Sequence, residues 1–256
     1  MTPRVVVVTG SSSGIGQAIA ETFARHGDDV LVHGFQNLAG LNKTAKRVVE
    51  AGSQVRCIVS DVSKADSVRQ LVQAAFSWRE RVDVWINAAG ADVLTGRASK
   101  LSFEEKLERL WQTDVVSTIQ ISRVVADRMI AQESIAALPT ILNISWDQAE
   151  FGMEGDSGQL FSPTKAAIAA FSKSLAKTVG PKVRVNCIAP GWIQTAWGET
   201  ASEAWDQRAR GESMLDRWGR PSDIANAALM LASPECEFMN GQTIAVNGGW
   251  KPIRTN

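Results

Sequence analysis

The most constraining stretch of this chain lies near its start. Val5-Val6-Val7-Val8 is followed directly by Thr9-Gly10-Ser11-Ser12-Ser13-Gly14-Ile15-Gly16 and then by a helical pattern that runs to Arg25. Four β-branched residues without polar alternation predict a strand covered on both faces, as inside a parallel sheet. A turn of small residues that opens straight into a helix then predicts a strand–helix–strand unit, with helices packed on either side of the sheet.

The remainder repeats that unit. Strands are expected at Val30–Val32, Val55–Val59, Val82–Ile86, Thr140–Ile144, Val183–Ile188 and Thr243–Val246. Helical patterns cover Leu41–Glu50, Ser63–Trp78, Phe103–Ala131, Pro163–Val179 and Ile224–Leu231, with Ser63 as the N-cap of the second of these and Asp66 in its first turn. The fold class is therefore α/β, a doubly wound parallel sheet of about seven strands with helices on both faces. No repeat, low-complexity tract or linker-like change in composition interrupts residues 1–256, which read as a single domain.

Lysine plus arginine equals aspartate plus glutamate at 27 each, so no global charge draws the chain to nucleic acid or an acidic membrane. No apolar run approaches the roughly 18 residues of a membrane span. Cys57, Cys187 and Cys236 are widely spaced and odd in number. They suit reduced thiols in a cytoplasmic protein and form no metal-binding spacing. The chain contains nine tryptophans and no tyrosine.

The turn from Thr9 to Gly16 carries the first functional reading. Small residues let the backbone approach a pyrophosphate closely, and the helix that follows presents unpaired N–H groups and the positive end of its dipole. Its position between strand and helix is the context that gives such a turn meaning.

With T-G-x-x-x-G-x-G in that place, the sequence resembles the short-chain dehydrogenase/reductase family in its compact branch, the one that includes 3-oxoacyl-carrier-protein reductases. Further motifs recur in the family's order along essentially the whole chain. They are Asp61-Val62, Asn87-Ala88-Ala89-Gly90, Lys165-Ala166-Ala167, Arg184-Val185-Asn186, Pro190-Gly191 with Thr195, Gly219-Arg220-Pro221, and Val246-Asn247-Gly248-Gly249. The resemblance implies a Rossmann fold and hydride transfer between a nicotinamide nucleotide and a small carbonyl or alcohol substrate. It implies cofactor contacts from Gly10, Ser12, Ser13, Ile15 and Gly16 at the turn, and from Gly34 and Phe35 after the second strand. Asp61, Val62, Asn87, Ala88, Gly90, Lys165, Pro190, Gly191, Ile193 and Thr195 complete that set. It also implies a substrate lid at about 192–218 and a homodimer or homotetramer. At the end of the second strand Gly34 stands where an acid would select NAD, which tips the expectation to NADP(H) over NAD(H). Neither Phe35 nor Ser13 supplies the arginine that often accompanies the 2′-phosphate. His33 either touches the ribose or packs at the strand end.

The catalytic positions depart from the family. Four residues before Lys165, where the family places its tyrosine, stands Phe161, and a phenyl ring has no proton to give. The family serine aligns with Trp146, with Ser145 beside it as a substitute if the strand end bulges. The family asparagine aligns with Asp114. The loop between Trp146 and Phe161 is about two residues longer than the family pattern. Asp114, Asp147 and Asp156 are the candidates to take over proton transfer. An acid beside Lys165 would be held ionised, whereas one desolvated by Trp146 and Phe161 would keep its proton longer. Equally, these acids can simply pair with Lys165 or face solvent. Trp146, Trp192, Trp197, Trp205 and Trp218 either line an apolar pocket or serve lid packing and subunit contact. Trp78, Trp85 and Trp111 are expected in the core, His26 at the end of the first helix, and Arg208, Arg210, Arg217 and Arg220 on a solvated face or, alternatively, against an anionic substrate. Three functions fit: an atypical NAD(P)-dependent oxidoreductase, a non-catalytic nucleotide-binding protein, or a lyase or isomerase using a carboxylate with Lys165. No metal is expected, and a small substrate of apolar character is.

Overall fold

The structure, a computed structural model, describes residues 3–133 and 137–251, with all side chains among them except that of Trp197. The reading of Trp197 lies outside the described residues. Seven strands, β1 (Val5–Thr9), β2 (Asp29–Gly34), β3 (Val55–Val59), β4 (Val84–Asn87), β5 (Thr140–Ile144), β6 (Arg184–Pro190) and β7 (Thr243–Val246), form one sheet. The order is β3-β2-β1-β4-β5-β6-β7 and every pairing is parallel. The chain order reverses between β1 and β4, which opens a crevice at the carboxyl ends of the strands there.

Alternation along β1 assigns the two faces. Val5 and Val7 point into a cluster with Val68, Leu71 and Phe76 of α3 (Ala65–Arg79), Ile121 and Val125 of α5 (Ser117–Ala131) and Leu175 of α7 (Gly155–Val179). Val6 and Val8 point the other way, against Ile19 and Phe23 of α1 (Gly14–Arg25), Leu41 and Val48 of α2 (Leu38–Glu50) and Ile224 of α10 (Pro221–Leu231). Fully burying one such aliphatic side chain stabilises the fold by about 1.5–3 kcal/mol, which explains why these strands carry no polar face.

Several local expectations are corrected. Lys64, not Ser63, is the residue before α3. The Ser63 N–H and hydroxyl instead donate to Asp61 Oδ1 at 3.0 and 2.7 Å, closing a tight Asx turn that uses up the expected cap. The helix expected from Pro163 begins eight residues earlier at Gly155 and carries Pro163 inside it. The chain before it holds a one-turn helix, α6 (Gln148–Phe151), so the lengthened loop is largely helical. The long helix from Phe103 divides into α4 (Phe103–Leu110), a π-helical segment Trp111–Val116, and α5. Trp111 faces outward at 40% exposure instead of lying in the core, whereas Trp85 is fully buried and Trp78 packs partly against the core. Between β6 and α10 lie two short helices, α8 (Ala196–Glu199) and α9 (Glu203–Gly211).

Candidate active site

At the amino-terminal end of the crevice the glycine turn leaves no room for side chains. Gly10 has φ +66°, and a Cβ there would stand 2.6 Å from the Ala89 Cα; a Cβ on Gly16 would stand 2.3 Å from the Gly10 carbonyl oxygen. Thr9 fixes the facing turn, its Oγ1 accepting from the Ala88 and Ala89 N–H groups, both at 3.1 Å. Ser13 precedes α1 in extended conformation without a side-chain cap bond, and the first turn of α1 holds no acid. Its leading N–H groups are thus left for an anion, which is the donor set a dinucleotide pyrophosphate needs. A Cβ on Gly34 would lie 3.2 Å from the Ser12 Cβ, so the end of β2 rests on the turn, with Phe35 exposed beyond it. The residues present therefore fit a nicotinamide dinucleotide.

His33 is drawn into this frame from below. Its Nδ1 accepts from the Gly10 N–H at 3.3 Å, and its Nε2 donates toward the Ser60 carbonyl at 3.0 Å. Burial pushes its pKa down to about 4, so the ring is neutral and braces the turn. The strand-end packing reading is the one the geometry matches. Asn87 likewise points inward: its Nδ2 donates to Asn143 Oδ1 and Ser122 Oγ, and its Oδ1 accepts from the Trp85 indole. His26 ends α1 and lies 3.2 Å from Asp28.

At the carboxyl end of β4 and β5 the residues around Lys165 have a different arrangement. Lys165 Nζ donates to Asp114 Oδ2 at 2.8 Å, and Asp114 Oδ1 accepts from the Ala91 N–H at 2.8 Å. Asp114 is buried, and the π-helical segment is what turns it toward the Gly90–Ala91 backbone. β5 does not bulge: the Ser145 N–H continues the ladder to the Ile188 carbonyl, and the Ser145 hydroxyl donates to the Lys165 carbonyl at 2.8 Å. Ser145 therefore ties the end of β5 to α7. Asp147 is buried away from Lys165. Its Oδ2 accepts from Asn247 at 2.9 Å and its Oδ1 from the Gln148 N–H at 2.8 Å. Desolvation, opposed by those hydrogen bonds and assisted by the nearby Glu212 charge, raises its pKa to about 6. Asp156 is exposed in the first turn of α7, outside this group.

Pro190–Thr195 leads from β6 back over the crevice. The Gly191 N–H donates to the Val246 carbonyl, Ile193 bridges Gly219, and the Thr195 methyl lies 3.4 Å from where a Gly14 Cβ would stand. The Trp192 ring meets Trp146 edge-on at 6.4 Å, Trp205 at 5.5 Å and Trp218 at 6.2 Å, and Trp146 meets Phe161 edge-on at 6.4 Å. Arg208 is not on a solvated face. Its guanidinium lies over Trp192 and Trp205 and pairs with Glu212 and Glu154. Arg210 and Arg217 pair with Asp206 and Asp223. Glu212, buried, also accepts from the Trp192 indole at 2.6 Å and from Gln148 at 3.0 Å. Glu212 and Gln148 escaped the sequence reading. The four-residue spacing from Arg208 to Glu212 was the one available sign of the pair.

Fold and site define a dinucleotide-binding protein of the doubly wound class. The profile of the family described as Enoyl-(Acyl carrier protein) reductase matches residues 10–251. A 3-oxoacyl-(acyl-carrier-protein) reductase of Chlamydia muridarum is 37% identical over 250 residues, 96% of each chain, and one of Aquifex aeolicus is 32% identical with the same coverage. A short-chain dehydrogenase/reductase of Serratia marcescens superposes with a TM-score of 0.85 at 27% identity, covering 96% of this chain and 97% of that one. The chain belongs to the short-chain dehydrogenase/reductase family of NAD(P)-dependent oxidoreductases.

Proposed function

We propose that this protein is an NADP(H)-preferring oxidoreductase that transfers hydride to or from a small carbonyl or alcohol substrate without the family tyrosine, whose position Phe161 holds. The observation that carries this reading is Asp147, a buried carboxylate beside Trp146 whose pKa, raised to about 6, keeps a minor fraction of it protonated near neutrality. The cofactor supplies the hydride acceptor or donor carbon when bound. Gly10 and Gly16 give its pyrophosphate room, and the α1 N-terminus neutralises it. Asp114 keeps the Lys165 ammonium fixed at 2.8 Å, which makes Asp114 a positioning residue and leaves proton delivery to Asp147. Residues 192–218 form the lid, and the Trp146–Trp192 wall excludes water from the reacting carbon. The same reading places the enzyme in the cytoplasm as a homodimer or homotetramer.

A second reading, a non-catalytic nucleotide-binding protein, is favoured by one observation: Trp146 and Phe161 pack together where the family carries two hydroxyls. A ketone and alcohol panel assayed by NADPH oxidation or NADP reduction separates the two. A positioned acid contributes roughly 10²–10⁴ in rate. Asp147→Asn is therefore expected to lower ketone reduction by about 10²-fold while leaving NADPH affinity unchanged. Turnover unchanged in both Asp147→Asn and Asp114→Asn removes the proposed proton route, and cofactor binding with no turnover of any ketone, alcohol or iminium substrate in the wild type selects the second reading.

A further inference from the structure

Reducing a carbonyl leaves an alkoxide that must take a proton as it forms, and this site is poorly built for that demand. Phe161 has no exchangeable proton, and the Ser145 hydroxyl is spent on the Lys165 carbonyl. Trp146 offers only an indole N–H, which hydrogen-bonds without giving its proton up. The Lys165 ammonium is neutralised by Asp114. Asp147 is the remaining acid, and it is mostly ionised at about pH 7.

The same residues suit a positive charge. At the Trp146–Trp192 wall lie two buried carboxylates: Glu212, bonded to the Trp192 indole and paired with Arg208, and Asp147, next to Trp146 in the chain; Arg208 is further shared with Glu154, and Lys165 pairs with Asp114. Among the described residues no cation pairs with Asp147, so its ionised form leaves a negative charge at the wall. The Trp192 indole N–H donates to Glu212 at 2.6 Å, which raises the electron density of that ring, and aromatic faces attract cations. The wall already stabilises one cation in this way, since Arg208 lies over Trp192 and Trp205.

Resting on the oxidoreductase reading above, we propose that the preferred substrate of this site is a cationic C=N group, an iminium ion on a small apolar frame, with Asp147 and the Trp146–Trp192 wall recognising its charge. The electron count matches what the site lacks. The iminium carbon takes the hydride with its electron pair from NAD(P)H, which becomes NAD(P)⁺. The π pair of the C=N bond withdraws to nitrogen and cancels its charge, so a neutral amine forms with no proton moved in the step. Loss of the tyrosine then costs the iminium reaction little and the carbonyl reaction most of the roughly 10²–10⁴ that a positioned acid supplies.

The test pairs isosteres on the wild-type protein with NADPH: N-methyl-dihydroisoquinolinium against tetralone, and N-methylpyrrolinium against cyclopentanone. The expected result is a kcat/KM for the iminium of each pair at least about 10²-fold above its ketone. A readout independent of turnover accompanies it. Quenching of tryptophan fluorescence by N-methylquinolinium, a charged ring that does not depend on reduction, is expected to saturate and to weaken about tenfold in Asp147→Asn. The pH response adds a sign: Asp147 faces Glu212, itself paired to Arg208, with Asn247 and Gln148 as uncharged partners. Iminium reduction is expected to rise as Asp147 ionises, and ketone reduction to fall. Ketones reduced as well as iminium ions, or neither reduced while NADPH binds, overturns the proposal. Failure to bind NADPH removes instead the reading beneath it.

Discussion

The two ends of the crevice have been treated differently. On the β1–β2 side, residues of the glycine turn meet backbone at distances no side chain tolerates, and a neutral histidine and a threonine hold the turn from behind. On the β5–β6 side, polar groups are tied up internally: Ser145 on a helix carbonyl, Lys165 on Asp114, Asp147 on Asn247. The first region is held by steric fit at Gly10 and Gly16. The second is held by charge and hydrogen bonds, which can be redistributed without changing the sheet beneath. That contrast is the physical basis for the proposal that cofactor binding is retained while the chemistry is altered.

The contrast can be broken most severely at the glycine turn. Gly16→Val would drive side-chain atoms into the Gly10 carbonyl, and NADPH affinity is expected to fall by more than about 10²-fold in a fluorescence titration. A variant that binds as tightly as the wild type would show that the turn is not the phosphate cradle. Next in size is the buried pair. Lys165→Met strands the Asp114 carboxylate and is expected to cost about 3–5 kcal/mol in urea unfolding, and the double variant Lys165→Met/Asp114→Leu should recover much of it. No recovery would mean that the two residues act independently.

The two regions should also answer acid in opposite directions. His33 has its folded pKa lowered to about 4 from 6.5, so its stabilising contribution is complete above about pH 6.5 and is lost as pH falls toward 4. Asp147 has its folded pKa raised to about 6 from 3.8, so its burial costs stability above pH 6 and that cost is relieved as pH falls toward 3.8. Each effect is on the order of 3 kcal/mol, since one pKa unit is about 1.4 kcal/mol. The difference in stability between His33→Gln and wild type should therefore move in favour of the variant on acidification, and that of Asp147→Asn against it. Two flat difference curves would show that neither group is titrating as its surroundings imply. The smallest expected effect is at the entry to the long helix, where Ser102 and Glu105 form a reciprocal capping box. Ser102→Ala should cost about 1 kcal/mol without altering NADPH affinity.

The sheet was legible because Val5–Val8 is apolar on both faces and the later strands repeat short β-branched runs between helical patterns. The glycine turn was legible for a related reason: Gly10 and Gly16 are demanded by backbone crowding that short-range sequence spacing expresses directly. The catalytic end was legible only as a set of substitutions. That Asp114 would take Lys165 and Asp147 would stay apart depends on a π-helical segment and on a turn at Asn247, 100 residues away from Asp147, which no local pattern reports. Glu212 was missed because its burial arises from Trp192 and Gln148, which are distant in sequence. Pro163 misled because proline at a helix start is the commoner case, whereas here the helix carries it internally.

The most direct test of the account is a titration of the wild-type protein with NADPH, read as energy transfer from its tryptophans to the dihydronicotinamide. A saturable signal is expected at micromolar cofactor, abolished by Gly16→Val and left in place by Asp147→Asn. No saturable signal up to millimolar NADPH or NADH would contradict it.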